Sequence, residues 1–392
     1  MVNWTAHWRP GKIRVLITML VGFLCSGIGS ISTTYADQLK ITRDGELQTI
    51  EGQLLVIAQD ESLLFRSTDG RLWVLEPGDY DEVIENEDEF QALSQEETEE
   101  RLLAELPEGF RVHTTRNYVV AYNTSPAYAR WVGALYERLY KGFKNYWKTR
   151  RFKLSSPDVP LVVLVFDNEA NYSRYVVEEL GQEPGTMVAY YNLFTNRVAM
   201  YDLTGAQDNE DVRNSRSSQQ INTMLSQPNA FSMVATVIHE ATHQLMFNCG
   251  MQQRLADTPL WLNEGLAMFF ETPDLESRSG WRGMGKVNPL RLQQFRDSLR
   301  TRADDSLTTL IQDDKRFRDP AQSVEAYAEA WALAYFLLDR KQKDFVRYLE
   351  ELSKMKPLDQ KHPEQRLEVF EKHFGGLEQL NADLIEYLRH VD

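Results

Sequence analysis

The sequence predicts an α+β protein in which a small all-β module precedes a mixed sheet with its helices and a helical C-terminal subdomain. Three observations predict this class. Short strand-like runs bounded by turn residues fill positions 39–76. From residue 111 onward, apolar runs suited to buried strands alternate with segments of helical spacing. Beyond residue 320, apolar residues at helical spacing continue to the end.

The N-terminal segment predicts export. Arg9, Lys12 and Arg14 form a positive region, and Val15–Leu24 forms a short apolar core, which is typical of a signal peptide cleaved after Ala36. We therefore expect a periplasmic or extracellular protein with no stable membrane span after cleavage. An uncleaved N-terminal anchor stays open as an alternative, although a spanning helix needs about 20 apolar residues. The expected parts are a signal peptide, the β-module, an acidic linker, an N-lobe with the candidate site and the helical subdomain, at 1–36, 37–78, 79–108, 109–272 and 273–392.

The net charge of −15 is concentrated in one segment. Residues 79–108 hold 13 acidic residues and the single base Arg101, a local net charge of −12. This run predicts a solvated linker, part of it helical because Ser94 and Glu97 have the spacing of a capping box. No basic stripe is present, so we expect no nucleic-acid partner.

The β-module is predicted to contain four short strands. Asp69-Gly70 predicts a hairpin turn between the last two. A core of about 40 residues is marginal on its own, so the module either packs on the rest of the chain or binds a partner. The predicted strands are Leu47–Ile50, Gln53–Ala58, Leu63–Ser67 and Arg71–Leu75.

The segment that follows the linker predicts a mixed α/β arrangement. A polar loop at 203–229, either a lid or a disordered segment, separates it from the helices that follow. The predicted elements are a strand at Arg111–Tyr122, a helix starting at Ser125-Pro126, a buried strand at Pro160–Phe166, a helix at Asn168–Leu180, and a hairpin of Val188–Asn192 with Arg197–Asp202.

An H-E-x-x-H motif, His239-Glu240-Ala241-Thr242-His243, lies in a segment with helical spacing at 231–247. Two histidines four residues apart share one face of a helix. Their ring nitrogens can hold a tetrahedral Zn²⁺, and Glu240 can act as a base towards a water molecule.

A second predicted helix supplies a third ligand. It begins after Asp257 or Thr258 as cap, with Pro259 in its first turn, and ends at Thr272-Pro273. Glu264 is a carboxylate within this strongly apolar helix, and a buried carboxylate needs a compensating partner or a metal. His239, His243 and Glu264 are therefore the candidate zinc ligands, for one zinc ion per chain.

His239-Glu240-x-x-His243 followed by Asn263-Glu264-Gly265-x-Ala267 resembles the gluzincin group of zinc metallopeptidases. The resemblance covers about residues 110–350 and is closest to uncharacterised exported bacterial families. It implies a two-lobed gluzincin-like zinc peptidase fold with a peptide or protein substrate. Glu240 would then be the general base and Tyr327 the oxyanion donor, with Tyr335 in reserve. Asn263 is either a buttress of the site or an ordinary helix residue.

The resemblance also raises the question of cleavage mode. It implies an edge strand that binds the substrate backbone, for which Asn196–Tyr201 is the candidate. Gluzincin aminopeptidases carry an acidic residue in a segment that here reads Gly185-Thr186-Met187-Val188-Ala189. Its absence favours an endopeptidase. The alternatives are a zinc-bound peptide-binding protein without catalysis and an envelope-associated structural protein. Cys249 is expected to be a buried thiol, and the oligomeric state is open.

Overall fold

A computed structural model describes residues 36–43, 45–204, 215–276 and 281–391. The predicted signal peptide, apart from Ala36, lies outside these residues. The described residues fall into two compact units. Unit 1 holds those of Met1–Ala129 and Asp158–Asn214, and unit 2 holds those of Arg130–Pro157 and Ser215–Asp392. The protein is α+β, with an all-β region first and helices dominating its C-terminal part.

Unit 1 begins with a five-stranded antiparallel sheet. Its order is β4-β3-β2-β1-β5. Leu39, Leu54 and Phe65 are fully or almost fully buried in its small core. The strands are β1 (Asp37–Arg43), β2 (Glu46–Ile57), β3 (Leu63–Ser67), β4 (Leu72–Leu75) and β5 (Glu82–Ile84).

Two strand predictions for this sheet differ from the structure. The segments predicted as Leu47–Ile50 and Gln53–Ala58 form one continuous strand, β2, which crosses Gly52 and has a register shift between Leu54 and Val56. Gly52 fits because a Cβ there would lie 2.1 Å from the Arg66 carbonyl oxygen. Strand β1 was not predicted, since its polar residues are ordered by pairing with β2 and β5.

The acidic segment, predicted as a solvated linker, is integrated into the folded unit. Residues Glu82–Ile84 form β5, and α1 (Gln95–Glu105) begins with the predicted Ser94–Glu97 capping box. Leu102 and Leu106 are buried in the core beneath the second sheet. The acidic side chains lie on the outer face of the segment. Because they dominate its composition, composition alone did not predict the buried apolar face.

The second sheet of unit 1 is mixed, with the order β6-β7-β8-β10-β9. Strands β7, β8 and β10 run parallel, while β6 and β9 pair antiparallel to their neighbours. All six residues of β8 are buried, as its apolar run predicted. Its elements are β6 (Arg111–Thr114), β7 (Tyr118–Tyr122), β8 (Leu161–Phe166), α3 (Glu169–Leu180), β9 (Ala189–Asn192) and β10 (Arg197–Tyr201). Helix α2 (Pro126–Thr149) follows β7, and its residues from Arg130 onward belong to unit 2.

Two predictions for this sheet are wrong. The single strand predicted at Arg111–Tyr122 is a hairpin of β6 and β7, because the Thr115 N–H donates to the Tyr118 carbonyl and reverses the chain. The candidate edge strand Asn196–Tyr201 contains β10, which is paired on both sides, with β8 and with β9. Its backbone is therefore unavailable for strand addition, and the edge strand of this hairpin is β9.

The β-module packs on the second sheet. The Leu72 N–H donates to the Phe194 carbonyl at 2.7 Å, and Arg66 forms an ion pair with Asp158 at 2.7 Å. Glu105 of α1 binds Arg197 through two hydrogen bonds of 2.8 and 2.9 Å and also contacts Arg71 of the module. These contacts favour packing on the rest of the chain over the alternative of a free partner-binding module.

Unit 2 is helical. The polar loop predicted at 203–229 contains a helix, α4, with Ser217 as its N-cap, followed by a 3-10 turn at Pro228–Ala230; residues 205–214 lie outside the described part. The other helices are α5 (Phe231–Asn248), α6 (Leu260–Phe270), α7 (Pro289–Ser298), α8 (Ser306–Gln312), α9 (Lys315–Arg318), α10 (Ser323–Arg340), α11 (Gln342–Leu352), α12 (Pro363–Phe374) and α13 (Leu377–Arg389), and α4 spans Ser218–Leu225.

Two buried ion clusters connect these helices. Glu329 of α10 accepts hydrogen bonds from Arg302, Arg316 and Ser306. Arg366 of α12 binds Asp257 and Asp314. Buried charges persist only when they are paired in this way.

The start of α6 differs from the prediction. Its N-cap is Pro259, which has no capping side chain, and the Leu260 N–H donates instead to Asp314 at 3.1 Å. Asp257, one of the two predicted caps, is engaged by Arg366. A carboxylate 54 residues away thus replaces the local cap.

Within the described ranges, we find no helix of the length and apolarity that crossing a membrane requires.

Replacing Glu105 with Gln tests the contact between the module and the second sheet. Burial raises the pKa of Glu105, but its hydrogen bonds to Arg197 and the charges of Arg197 and Arg71 lower it to about 2, from 4.5. The pairing therefore stabilises the fold above pH 4.5, and this contribution is lost as the pH falls towards 2.

We expect Glu105→Gln to lower the free energy of unfolding by about 1–2 kcal/mol at pH 7, a low figure because the carboxylate is partly exposed. The difference should shrink at pH 3, as measured by urea unfolding. Glu100→Gln on the same helix is the control. An equal difference at both pH values would contradict the assignment.

Candidate metal centre

Helix α5 places His239, Glu240 and His243 on adjoining positions of one buried surface. Val237, Ile238 and Ala241 are fully buried and fix the rotation of the helix. Glu240 is 5% exposed and His243 is 1% exposed. Two imidazoles and a carboxylate are thus held away from water, where they need partners.

Helix α6 brings Glu264 to the same place. Glu264 is 3% exposed. The next residue, Gly265, lies against α10: a Cβ there would lie 2.5 Å from the Ala330 carbonyl oxygen and 2.9 Å from the Ala334 Cβ. Only glycine allows this close approach, so the backbone beside Glu264 is packed directly on α10.

Three atoms that could bind a metal ion lie close together. His239 Nε2 lies 3.1 Å from His243 Nε2 and 3.1 Å from Glu264 Oε2. His243 Nε2 lies 3.7 Å from Glu264 Oε1. Within the described part of the chain, these three residues form a cluster with the spacing of metal ligands, each offering an atom within 4.8 Å of the others.

This geometry fits a zinc ion. Ligand bonds of about 2.0–2.2 Å at tetrahedral angles separate the ligand atoms by roughly 3.3–3.5 Å. The distances of 3.1, 3.1 and 3.7 Å lie around this value. Two ring nitrogens that face each other repel unless a cation lies between them or one carries a proton. The donor set, two imidazoles and one carboxylate, is also one that catalytic zinc sites use.

Glu271 and Asn288 extend the site and were missed from the sequence. His239 Nδ1 donates to Glu271 Oε2 at 2.9 Å, and Asn288 Nδ2 donates to Glu271 Oε1 at 2.7 Å. A carboxylate on the far nitrogen of a ligand histidine fixes its tautomer and orientation. Glu271 lies seven residues after Glu264, two helical turns on the same face, and this spacing could have revealed it. It was missed because the helix ends there.

The pKa values of the two histidines are shifted in opposite directions. Burial lowers the pKa of His239, but its hydrogen bonds to Glu264 and Glu271 outweigh burial and raise the pKa to about 10. Burial lowers the pKa of His243 to about 4; Glu264 opposes this shift and His239 adds to it. At neutral pH both ring nitrogens of His239 therefore carry a proton, and the Nε2 proton faces Glu264 at the place that a metal ion would take in its stead.

Tyr327 of α10 lies near these carboxylates and Tyr335 does not. Burial raises the pKa of Tyr327, and the charges of Glu264 and then Glu240 raise it further, while Arg291 lowers it. The pKa of Tyr335 is raised by burial and by Asp339. The two predicted tyrosines thus have different surroundings, although they share one helix.

Three further residues complete the description. The hydroxyl of Tyr136 in α2 donates to the Val237 carbonyl at 3.2 Å, and burial together with the charge of Glu240 raises its pKa. No sequence motif marks Tyr136 as part of the site. Among the described residues, nothing donates to the buried side-chain oxygen of Asn263, so this oxygen does not support the alternative in which Asn263 is a buttress of the site. Cys249 is a free, buried cysteine, as predicted, and burial raises its pKa to about 12.

Residues 233–359 match the family described as "Protein of unknown function (DUF1570)". The matched range runs from α5 into the segment after α11 and includes His239, Glu240, His243, Glu264 and Tyr327. No curated protein matches the chain. The family description names no activity, so the chemistry of the site has to carry any functional conclusion.

Substituting Glu271 tests its role in holding His239. We expect Glu271→Ala to weaken zinc binding about 10–100-fold, because the imidazole loses the partner that fixes its orientation. Competition with a chromogenic chelator measures this affinity without requiring enzymatic activity.

Glu325→Ala on the exposed side of α10 is the matched control and should bind zinc as the unmodified protein does. An unchanged affinity in Glu271→Ala would show that the hydrogen bond to His239 does not orient a metal ligand.

Proposed function

We propose that this chain is an exported, zinc-dependent hydrolase of peptide bonds with a gluzincin-like fold. The observation that carries the proposal is the convergence of His239, His243 and Glu264 within 4.8 Å, beside the buried Glu240. Burying two imidazoles and two carboxylates among apolar helices destabilises the protein unless a cation compensates their charge. The residue types and their spacing match the chemistry of a hydrolytic zinc site.

The three ligands would hold the zinc through His239 Nε2, His243 Nε2 and a carboxylate oxygen of Glu264. When bound, zinc supplies Lewis acidity, which lowers the pKa of a water molecule and polarises a carbonyl group. Glu271 holds His239 in the tautomer that leaves Nε2 available, because the Nδ1 proton is donated to Glu271 Oε2.

Glu240 is the proposed general base and acid. Its carboxylate would accept a proton from the attacking water and pass that proton to the nitrogen of the leaving amine. Its burial keeps the carboxylate within the site and away from bulk water. Its neighbour on the same helix, Ala241, offers no competing group.

Tyr327 is the proposed donor to the oxyanion. Burial and the two nearby carboxylates raise its pKa, so the hydroxyl keeps its proton at neutral pH and can donate it in a hydrogen bond. Tyr335 lacks these carboxylate neighbours, which supports Tyr327 as the first choice.

The cleavage mode and the location of the protein belong to the same proposal. The lack of an acidic residue in Gly185–Ala189 favours an endopeptidase. The positive and apolar pattern of residues 9–24 supports export to the periplasm or the exterior.

Glu240→Gln separates catalysis from metal binding. We expect peptide hydrolysis to fall by at least about 10³-fold, because the amide cannot accept the proton, while one zinc per chain is retained. Cleavage is measured on a mixed peptide library by mass spectrometry, and zinc content by elemental analysis. Hydrolysis that survives in this variant would refute Glu240 as the base, and a zinc-free wild-type protein would refute the metal site.

Tyr327→Phe and Tyr335→Phe form a matched pair on one helix. Loss of a donor to the oxyanion should lower kcat by about 10²–10³-fold in Tyr327→Phe with little change in KM. Tyr335→Phe should behave as the unmodified protein does. Equal effects of the two substitutions, or a change in KM alone, would exclude Tyr327 as the donor.

A further inference from the structure

Arg291 lies in the first turn of α7 and is connected to the candidate metal ligands by a chain of hydrogen bonds. Its backbone N–H donates to Asn288 Oδ1 at 3.2 Å. Asn288 donates in turn to Glu271, which accepts a hydrogen bond from His239. Asn288 therefore both caps α7 and supports the carboxylate behind His239, so the position of Arg291 is fixed relative to the site.

The guanidinium of Arg291 is directed towards Tyr327. Its carbon lies 5.8 Å from the centroid of the Tyr327 ring. Its Nη1 donates to Gln294 at 3.2 Å, whereas its buried Nε has no hydrogen-bond partner among the described residues. Within that part of the chain, no carboxylate forms an ion pair with it. The partly buried guanidinium therefore has an N–H donor without a partner among the described residues.

Three other arginines of unit 2 with little exposure have carboxylate partners, whereas Arg296, which is partly buried as Arg291 is, donates to backbone carbonyls. Arg302 and Arg316 bind Glu329, and Arg366 binds Asp257 and Asp314. A partly desolvated guanidinium gains most from a carboxylate that accepts two of its planar donors. Here that partner is missing from the described residues.

Two carboxylates of the candidate site, Glu264 and Glu271, are already engaged. Glu264 contacts both histidines, and Glu271 is held by His239 and Asn288. Neither can turn to Arg291 without leaving its present partner. A carboxylate that arrives with the substrate would supply the partner that Arg291 lacks among the described residues.

We propose that Arg291 binds a carboxylate of the substrate and so determines specificity at this site. The inference rests on the proposed peptidase function. A peptide offers this chemistry from two sources, its C-terminal carboxylate or an Asp or Glu side chain near the bond to be cleaved. The hydrolase then prefers peptides that carry a negative charge at this position, despite the protein's own negative charge.

The test uses equilibrium binding to the zinc-loaded Glu240→Gln protein, which removes turnover. Three fluorescent mixed-sequence hexapeptide pools serve as probes. One has a C-terminal carboxylate and no Asp or Glu, one a C-terminal amide and no Asp or Glu, and one a C-terminal amide with an internal Asp or Glu. Fluorescence anisotropy gives the affinity of each pool.

We expect at least one carboxylate-bearing pool to bind about tenfold or more tightly than the neutral pool, and the preferred pool identifies the source. Adding Arg291→Gln should abolish this advantage. Arg291→Lys, which keeps the charge but not the planar pair of donors, should restore part of it. Arg347→Gln, an exposed arginine of α11, is the control for net charge and should leave the advantage intact.

Two outcomes would overturn the proposal. Equal binding of the three pools would show that no carboxylate is selected, and an advantage that persists in Arg291→Gln would assign the selection to zinc or another group. Cleavage of the same pools by the wild-type protein is scored separately. A zinc-loaded wild type that cleaves none of them would refute the peptidase, while the binding data would still decide the role of Arg291.

Discussion

The burial of several carboxylates beside two imidazoles is the constraint on which the arrangement of unit 2 depends. Glu240 and Glu264 are both at most 5% exposed, on two different apolar helices. Each would destabilise the core on its own, because an unpaired buried charge is costly. Glu264 of α6 contacts His239 and His243 of α5, and this pairing offsets part of the cost where the two helices meet.

Helix α10 is held by two of its faces at once. Tyr327 lies on the face towards Glu264 and Glu240, and Glu329, two residues later and about 200° around the helix, is bound by Arg302 and Arg316. Gly265 of α6 sets the distance of closest approach between the two helices. The rotation of α10 and its distance from α6 are thus fixed by different interactions. Together they hold the Tyr327 hydroxyl in one position.

The features that could be predicted from the sequence are those determined by local pattern. The proximity of His239, His243 and Glu264 is one of them, because the two histidines share a helix turn and Glu264 lies on the next helix along the chain. The capping box at Ser94 is local in the same sense. What the sequence did not reveal depends on distant partners: the interior position of β10 is set by β9 and β8, and the start of α6 by Asp314. No local pattern marks Arg291, because its distinguishing features are its place beside Tyr327 and the lack of a carboxylate partner among the described residues.

The contacts of Arg366 show that residues beyond the matched range support the helix that carries Glu264. Its guanidinium compensates Asp257 and Asp314, and Asp314 accepts the first backbone hydrogen bond of the helix that carries Glu264. Arg366 lies beyond residue 359, where the family match stops. The stretch that matches the family model therefore ends before a residue on which the start of this helix depends. A fragment cut at residue 359 would retain the three candidate ligands but lose the guanidinium that pairs with Asp257 and Asp314, and within the described residues only the ion pair of Asp314 with Arg318 at 4.0 Å would remain.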